Sequence, residues 1–280
     1  MPTPAVLAVL PAPLVGALAP VVNYLTAVAV PRPLKWVLAV YLAANACGFP
    51  GVWHWRILWP FIRFQWEVKL GRVWKNDRIG KDELTHTHAV SRKSFRATPE
   101  SCDAFGFHLS NSSYAVTLDH IRGPFSIYNV GEFFMIPGAT FALGGTQFEY
   151  KKEIPFLGKY DVESALLGYD KKWMYIESRF VSPPHPKTGA RKLYAASLGR
   201  TVLKHNRRTI PPARAFALAG YDSDHGKGAQ NWEIVKGLSR KEKLAFLLAQ
   251  PGQEEGKARG ITVGSIERGM DKVQEWPAEL

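Results

Sequence analysis

Between Asp103 and Arg122 the chain reads DAFGFHLSNSSYAVTLDHIR, which gathers side chains suited to carbonyl chemistry into one short span. Asp103 and Asp119 supply carboxylates, His108, Asn111 and Tyr114 stand three residues apart, and Arg122 closes the set. Ser110, Asn111 and Ser112 are good helix N-caps, because short polar side chains accept hydrogen bonds from the free N–H groups of a first turn. A helix is therefore predicted to start there. From Tyr114, Leu118 and Ile121 follow at helical spacing, so one face can be buried while Asp119 and Arg122 keep a neighbouring edge polar. The N-terminal N–H groups and the helix dipole would polarise a carbonyl or stabilise an anion placed against them. That suits attack on a thioester, whose carbonyl oxygen gains negative charge in the transition state. An ordinary capped core helix, with His108 and Asn111 satisfying backbone groups, accounts for the same spacing.

The segment resembles the signature of hotdog-fold acyl-CoA thioesterases, D-x-x-G-H-V-N-N-x-x-Y, with an acidic residue five positions and an Arg eight positions after the Tyr. Asp119 and Arg122 occupy those two places. Downstream, LLGYDKKWMYIESRFVS (Leu166 to Ser182) looks like the paired central strands of the membrane-anchored thioesterase-superfamily-member and fungal thioesterase-like branch, with a Gly-Tyr-Asp-Lys hairpin turn. The resemblance covers roughly residues 82 to 212. It implies an α+β hotdog fold, an antiparallel sheet wrapped around one long helix, acting on acyl-CoA or carrier-bound acyl chains. It also implies no cofactor, no metal, and a homodimer, because such relatives build their active sites between two subunits. Asp103 or Asp119 would be catalytic, and His108, Asn111 and Tyr114 would bind substrate. One departure matters: the pattern's carboxylate stands four residues before the His, where this chain has Ala104, and Asp103 is one residue further back. A loop beside Gly106 can absorb one residue, which keeps Asp103 the first candidate and Asp119 the second. Loss of the carboxylate would leave an acyl-binding or scaffold protein; a dehydratase would need a different His/Asp arrangement.

Strands long enough to wrap a helix are predicted at Leu84 to Arg96, Thr140 to Lys151, Gly158 to Leu167 and Lys192 to Lys204. From Trp173 to Ser182 the residues alternate between the two faces of a further strand. Pro211 and Pro212 close this domain, placed at 83–212. The extension at 213–280 is read as mainly helical: Ser239 to Gln250 forms a capped amphipathic helix and Ile266 to Trp276 a second, both able to pack on the sheet or on a partner. Gly220 to Gly228 is a turn-rich linker whose carboxylates lack calcium-loop spacing.

The chain of 280 residues carries no charged side chain before Arg32. Residues 4–30 could span a bilayer, although Pro11, Pro13 and Pro20 interrupt any helix, and residues 36–53 are the better span. Residues 1–55 are thus read as a membrane-anchoring region with one or two passes. Residues 56–82 follow as an interfacial linker in which Lys69, Arg72, Lys75, Arg78 and Lys81 recur every third residue among Trp59, Trp66 and Trp74. Basic charge on the domain side of the span turns the domain to the cytosol, with the endoplasmic reticulum a natural membrane for it. A signal peptide is disfavoured by the missing basic n-region.

The formal net charge of +12 fits anionic lipid and CoA phosphates better than nucleic acid, for which no binding motif exists. Lys204, Arg207 and Arg208 are candidate CoA-phosphate contacts or a solvated face. Cys47 and Cys102 are read as free thiols. No G-x-S-x-G elbow supports an α/β-hydrolase route. His86 and His88 lack a third metal ligand nearby, and the Asn111-Ser112-Ser113 sequon would not be modified in the cytosol.

Overall fold

A computed structural model describes residues 31–70, 91–221, 228–249, 256–263, 267 and 270–276. The chain divides into two compact units, 1–50 and 51–280. In the first, helix α1 (Arg32–Ala44) opens with Pro at its first turn, and a 3-10 turn (Ala46–Gly48) follows. The second unit begins at Gly51, whose φ of +85° needs no Cβ, and continues as helix α2 (Val52–Lys69). The apolar run 36–53, expected to be one span, is thus broken twice, and no helix among the described residues is long and apolar enough to cross a membrane. The first run, 4–30, lies outside the described residues, as do His86 and His88.

Five strands form the antiparallel hotdog sheet: β1 (Ser91–Arg96), β2 (Ala139–Tyr150), β3 (Lys159–Tyr169), β4 (Met174–Val181) and β5 (Leu193–His205), in the order β1-β3-β4-β5-β2. A short β6 (Arg208–Ile210) pairs with β5. Helix α3 (Asn111–Phe134) lies between β1 and β2 in sequence; its start at Asn111 and cap at Ser110 follow the reading of the polar loop. Its backbone leaves the helical region at Val130 (φ −133°, ψ 39°), so α3 is a long helix kinked near its C-terminal end. Tyr114, Leu118 and Ile121 are buried against Tyr160, Val162, Phe180 and Ala195. Farther along, Phe125, Val130 and Phe133 join a second core cluster.

The β3–β4 turn falls two residues later than expected. Strand β3 continues through Tyr169, with a register irregularity at Gly168, and Asp170 makes the turn. Its Oδ1 accepts from the Lys172 and Trp173 N–H groups at 2.7 and 2.6 Å. A side chain that satisfies two turn donors outweighs the preference of Gly168 for a corner.

Pro211 and Pro212 end the strand region, but Pro212 also opens helix α4 (Pro212–Leu218), all of whose residues are buried. With α5 (Gly228–Lys236) and α6 (Arg240–Leu248) it encloses the second core cluster. Arg214 donates to the Phe246 carbonyl, and Lys243 Nζ meets Glu132 Oε2 at 2.7 Å, so the C-terminal helices are tied to α3. Helix α6, expected to be capped, opens with a capping box of Ser239 and Glu242. The last helix, α7 (Met270–Glu275), delivers Trp276 onto Leu167 and Ala196 of the sheet.

Candidate active site

The loop before α3 is held at both ends by backbone pairing. Cys102 bridges Leu109 and His108 bridges Pro155, while the Leu109 N–H donates to the Ile154 carbonyl at 2.8 Å. Inside this frame the chain turns at Gly106, whose φ is +74° and whose N–H reaches the Asp103 carbonyl at 2.9 Å. Phe107 is the additional residue that separates this Gly from His108, which is how the loop absorbs the offset relative to the signature. The Asp103 carboxylate organises the turn: Oδ1 accepts from the Phe107 and His108 N–H groups at 2.8 and 3.3 Å, and Oδ2 from Phe105 at 3.3 Å. Desolvation pushes the Asp103 carboxyl pKa upward, but these three donors and the neighbouring His108 outweigh it, and the net shift is downward. Asp103 is therefore an ionised carboxylate of fixed orientation, with Oδ2 the less engaged oxygen.

His108 Nδ1 lies 3.1 Å from the Leu109 carbonyl and acts as a donor there. That bond raises the imidazole pKa; desolvation opposes it, and Glu153 and Asp103 add to the rise. Its Nε2 stands 3.8 Å from Glu153 Oε1. Glu153 was not a candidate in the sequence. It lies 45 residues from His108 in a KKEIP connector with no motif spacing, and only the pairing of Ile154 and Pro155 with the loop brings it there.

Ser110 caps α3, accepting from the Ser113 N–H, while Ser113 Oγ anchors the cap to the Ser101 carbonyl at 2.6 Å. Asn111 and Ser112 are exposed in the first turn, where a helix offers its N–H groups no internal acceptor. Asp103 and His108 thus lie on the loop that leads into this helix end, with Glu153 beside His108 and the exposed, stacked rings of Phe105 and Phe107 on the same loop.

Two predicted residues lie apart from it. Tyr114 is buried, packed edge-on to Tyr150 and against Phe180, and burial drives its phenol pKa up. It braces the helix from inside. Asp119 sits roughly 12 Å along the axis from Asn111. There it accepts from Arg122 Nη1 at 2.7 Å, and Arg122 also donates to Thr146 Oγ1 at 2.8 Å. Asp119 is therefore about two turns from the N–H groups at the start of α3. Behind Arg122 a cavity of about 10 Å³, lined by Leu118, Ile121, Ser164, Ser178 and Ser197, has room for one water and none for an acyl chain. Burial raises the Cys102 thiol pKa, and Asp103 and Glu100 raise it further, which leaves it a poor nucleophile. Among the described residues no group of three His, Cys, Asp or Glu could hold a metal.

The sequence pattern of the thioesterase-like superfamily matches residues 97–219, from the end of β1 through α4. Thioesterase lcsJ of Purpureocillium lilacinum is 30% identical over 227 residues, 66% of this chain and 71% of that protein. Probable thioesterase YBR096W of Saccharomyces cerevisiae is 31% identical over 201 residues, 66% of this chain and 80% of that protein. Protein THEM6 of Drosophila melanogaster is 25% identical over 130 residues, 45% of this chain and 64% of that protein. The fold, the capped loop and these relatives agree: the chain belongs to the thioesterase-like superfamily, and thioester hydrolysis is the activity class that membership carries.

Proposed function

We propose that this protein hydrolyses acyl-CoA or carrier-bound acyl thioesters of lipid or secondary metabolism at the mouth of α3. The observation that carries this reading is an oriented, ionised carboxylate, Asp103, set in the loop that ends at the open helix N-terminus. A thioester carbonyl placed against the Asn111 and Ser112 N–H groups would have its developing oxyanion stabilised there. Asp103 Oδ2 would orient the attacking water or attack the carbonyl itself. Its lowered pKa keeps it charged at neutral pH and makes it a modest base. His108, held by Leu109 and Glu153, would carry positive charge near the carbonyl or leaving thiolate.

The same protein is proposed to act as a homodimer attached to a membrane, with its domain on the cytosolic side. Support for the dimer comes from β2, an edge strand of 12 residues with one charge, Glu149, which pairs only with β5 among the described residues. Such an edge invites another strand. Support for the membrane comes from the uncharged sequence before Arg32 and the basic residues after it. A second reading, acyl-thioester binding without cleavage, is favoured by one observation: both Asp103 oxygens already accept backbone hydrogen bonds.

The test is a hydrolysis screen of the full chain against acyl-CoAs of graded length, read by release of the CoA thiol. Turnover of at least one class is expected. Saturable acyl-CoA binding without thiol release would establish the non-catalytic reading instead.

A further inference from the structure

Helix α2 is apolar on two opposite sides, and only one of them is used by the fold. At 100° per residue, Ile57, Phe61, Phe64 and Val68 share one face. That face docks on the domain. Phe64 is buried, and the Phe61 ring lies 5.8 Å from that of Phe134 and 6.4 Å from that of Phe141. Gly123 of α3 permits the approach, since a Cβ there would come within 3.0 Å of the Phe61 ring. Trp55, Leu58, Trp59, Ile62 and Trp66 recur at helical spacing on the other side, and all five are exposed, Trp66 by 67%.

A soluble surface helix places charged residues there. Three of these five outward residues are Trp, whose indole combines an apolar ring with an N–H donor and prefers the boundary between headgroup and acyl chain. Basic residues outnumber acidic ones along α2: Arg63 and Lys69 are exposed, Arg63 paired with Glu67 at 2.8 Å, and Arg56 is half-buried on the side of Lys93 and His120. These last three groups lie close enough together to interact. Burial lowers the pKa of His120 to about 4 and also lowers that of Lys93, with Arg56 contributing to both shifts. Helix α1 repeats the pattern within its own unit, leaving Leu34, Val37, Val40 and Tyr41 exposed.

We infer that the outward face of α2 is a docking surface for an anionic lipid bilayer, on which the helix lies in the plane of the headgroups with Trp55, Trp59 and Trp66 inserted and Lys69 against lipid phosphates. This rests on the membrane-attached reading and gives it a defined mode, an in-plane helix fixed to the catalytic domain. Charge decides among the possible occupants. A chain of net charge +12, whose α2 carries Arg56, Arg63 and Lys69 against Glu67, is matched by an anionic bilayer, whereas a second copy would set net positive charge against its own kind.

The experiment uses the full chain with an environment-sensitive fluorophore on Ile62→Cys, in a background of Cys47→Ser and Cys102→Ser. Vesicles contain phosphatidylserine or phosphatidylcholine alone, and nitroxide lipids quench at headgroup or mid-bilayer depth. A blue shift that requires phosphatidylserine vesicles, with quenching by the shallow nitroxide and not the deep one, is expected. Ile62→Glu should weaken partition by at least about tenfold, equivalent to about 1.4 kcal/mol. Protein that pellets with vesicles while position 62 keeps its aqueous spectrum would overturn the inference and leave membrane attachment standing. A blue shift without vesicles would assign the face to a second copy or to the chain's own N-terminal segment, which also overturns it. Failure to pellet at all would remove both readings without touching the hydrolysis screen.

Discussion

Asp103 shows how far residue types alone lead. The carboxylate and imidazole were legible from type and spacing, and so was the cap at Ser110. How the loop holds Asp103 depended on one extra residue, Phe107, whose N–H the carboxylate accepts, and sequence carries no distance across a turn. Glu153 was invisible for a related reason, because its partner is reached through strand pairing rather than through the chain. Tyr114 matched a pattern position, yet it is also the first apolar residue of the buried face, and burial determines where its ring points. Another buried residue of α3, His120, supports a separate prediction. It is 4% exposed, its Nδ1 finds no hydrogen-bond partner among the described residues, and burial lowers its pKa to about 4, aided by Arg56 and Lys93. The unfolded chain would protonate this imidazole near pH 6.5 and the folded chain only near 4. Protons thus favour the unfolded state across that window, and stability falls as pH drops through it. The His120 contribution amounts to about 3 kcal/mol. Between pH 6.5 and 4 the urea midpoint of the wild type should therefore fall relative to that of His120→Leu; parallel pH profiles would contradict it.

Elements were read most securely where two signals coincided. The strands expected at 140–151, 158–167 and 192–204 formed within two residues of their predicted ends. The run 36–53 failed as one element because hydropathy ignores backbone: Gly51 adopts a left-handed conformation that interrupts any helix, and the next helix spends one apolar face on α3 rather than on lipid. The register of β2 against β5 shifts between Leu143 and Gly145, and this bulge offers a test at this scale. A Cβ on Gly144 would stand 2.1 Å from the Trp173 ring, which is itself held over Lys172 and Arg200 at 4.7 and 5.1 Å. Gly144→Ala should therefore destabilise the domain by about 1–3 kcal/mol through overpacking. In a Trp173→Ala background the same change should cost much less, and equal costs in both backgrounds would show that the ring is not the obstacle.

At the scale of the molecule, the two sheet edges differ in kind. Strand β1 carries Arg92, Lys93 and Arg96, and Arg92 is paired with Asp161 at 2.6 Å, so that edge is guarded by charge. Strand β2 has no such guard. Light scattering across a dilution series should accordingly give twice the chain mass, and a monomer with full activity would rule out a site that needs two copies. The C-terminal helices were expected to pack on the sheet or on a partner; they fill the second core cluster, a choice that depends on contacts far apart in sequence. The central claim is that hydrolysis occurs at the mouth of α3 through the Asp103 carboxylate. It is tested most directly by kcat and KM of Asp103→Asn, Glu153→Gln and Asp119→Asn on the best acyl-CoA substrate, with thermal unfolding as the check on folding. Asp103→Asn should lose about 100- to 10,000-fold in kcat with KM little changed. Glu153→Gln should lose less, through His108, and Asp119→Asn least if one chain supplies the reacting groups. A folded Asp103→Asn variant that keeps wild-type kcat would contradict the account, and abolition of turnover by Asp119→Asn alone would move the chemistry to the Arg122 end of the helix.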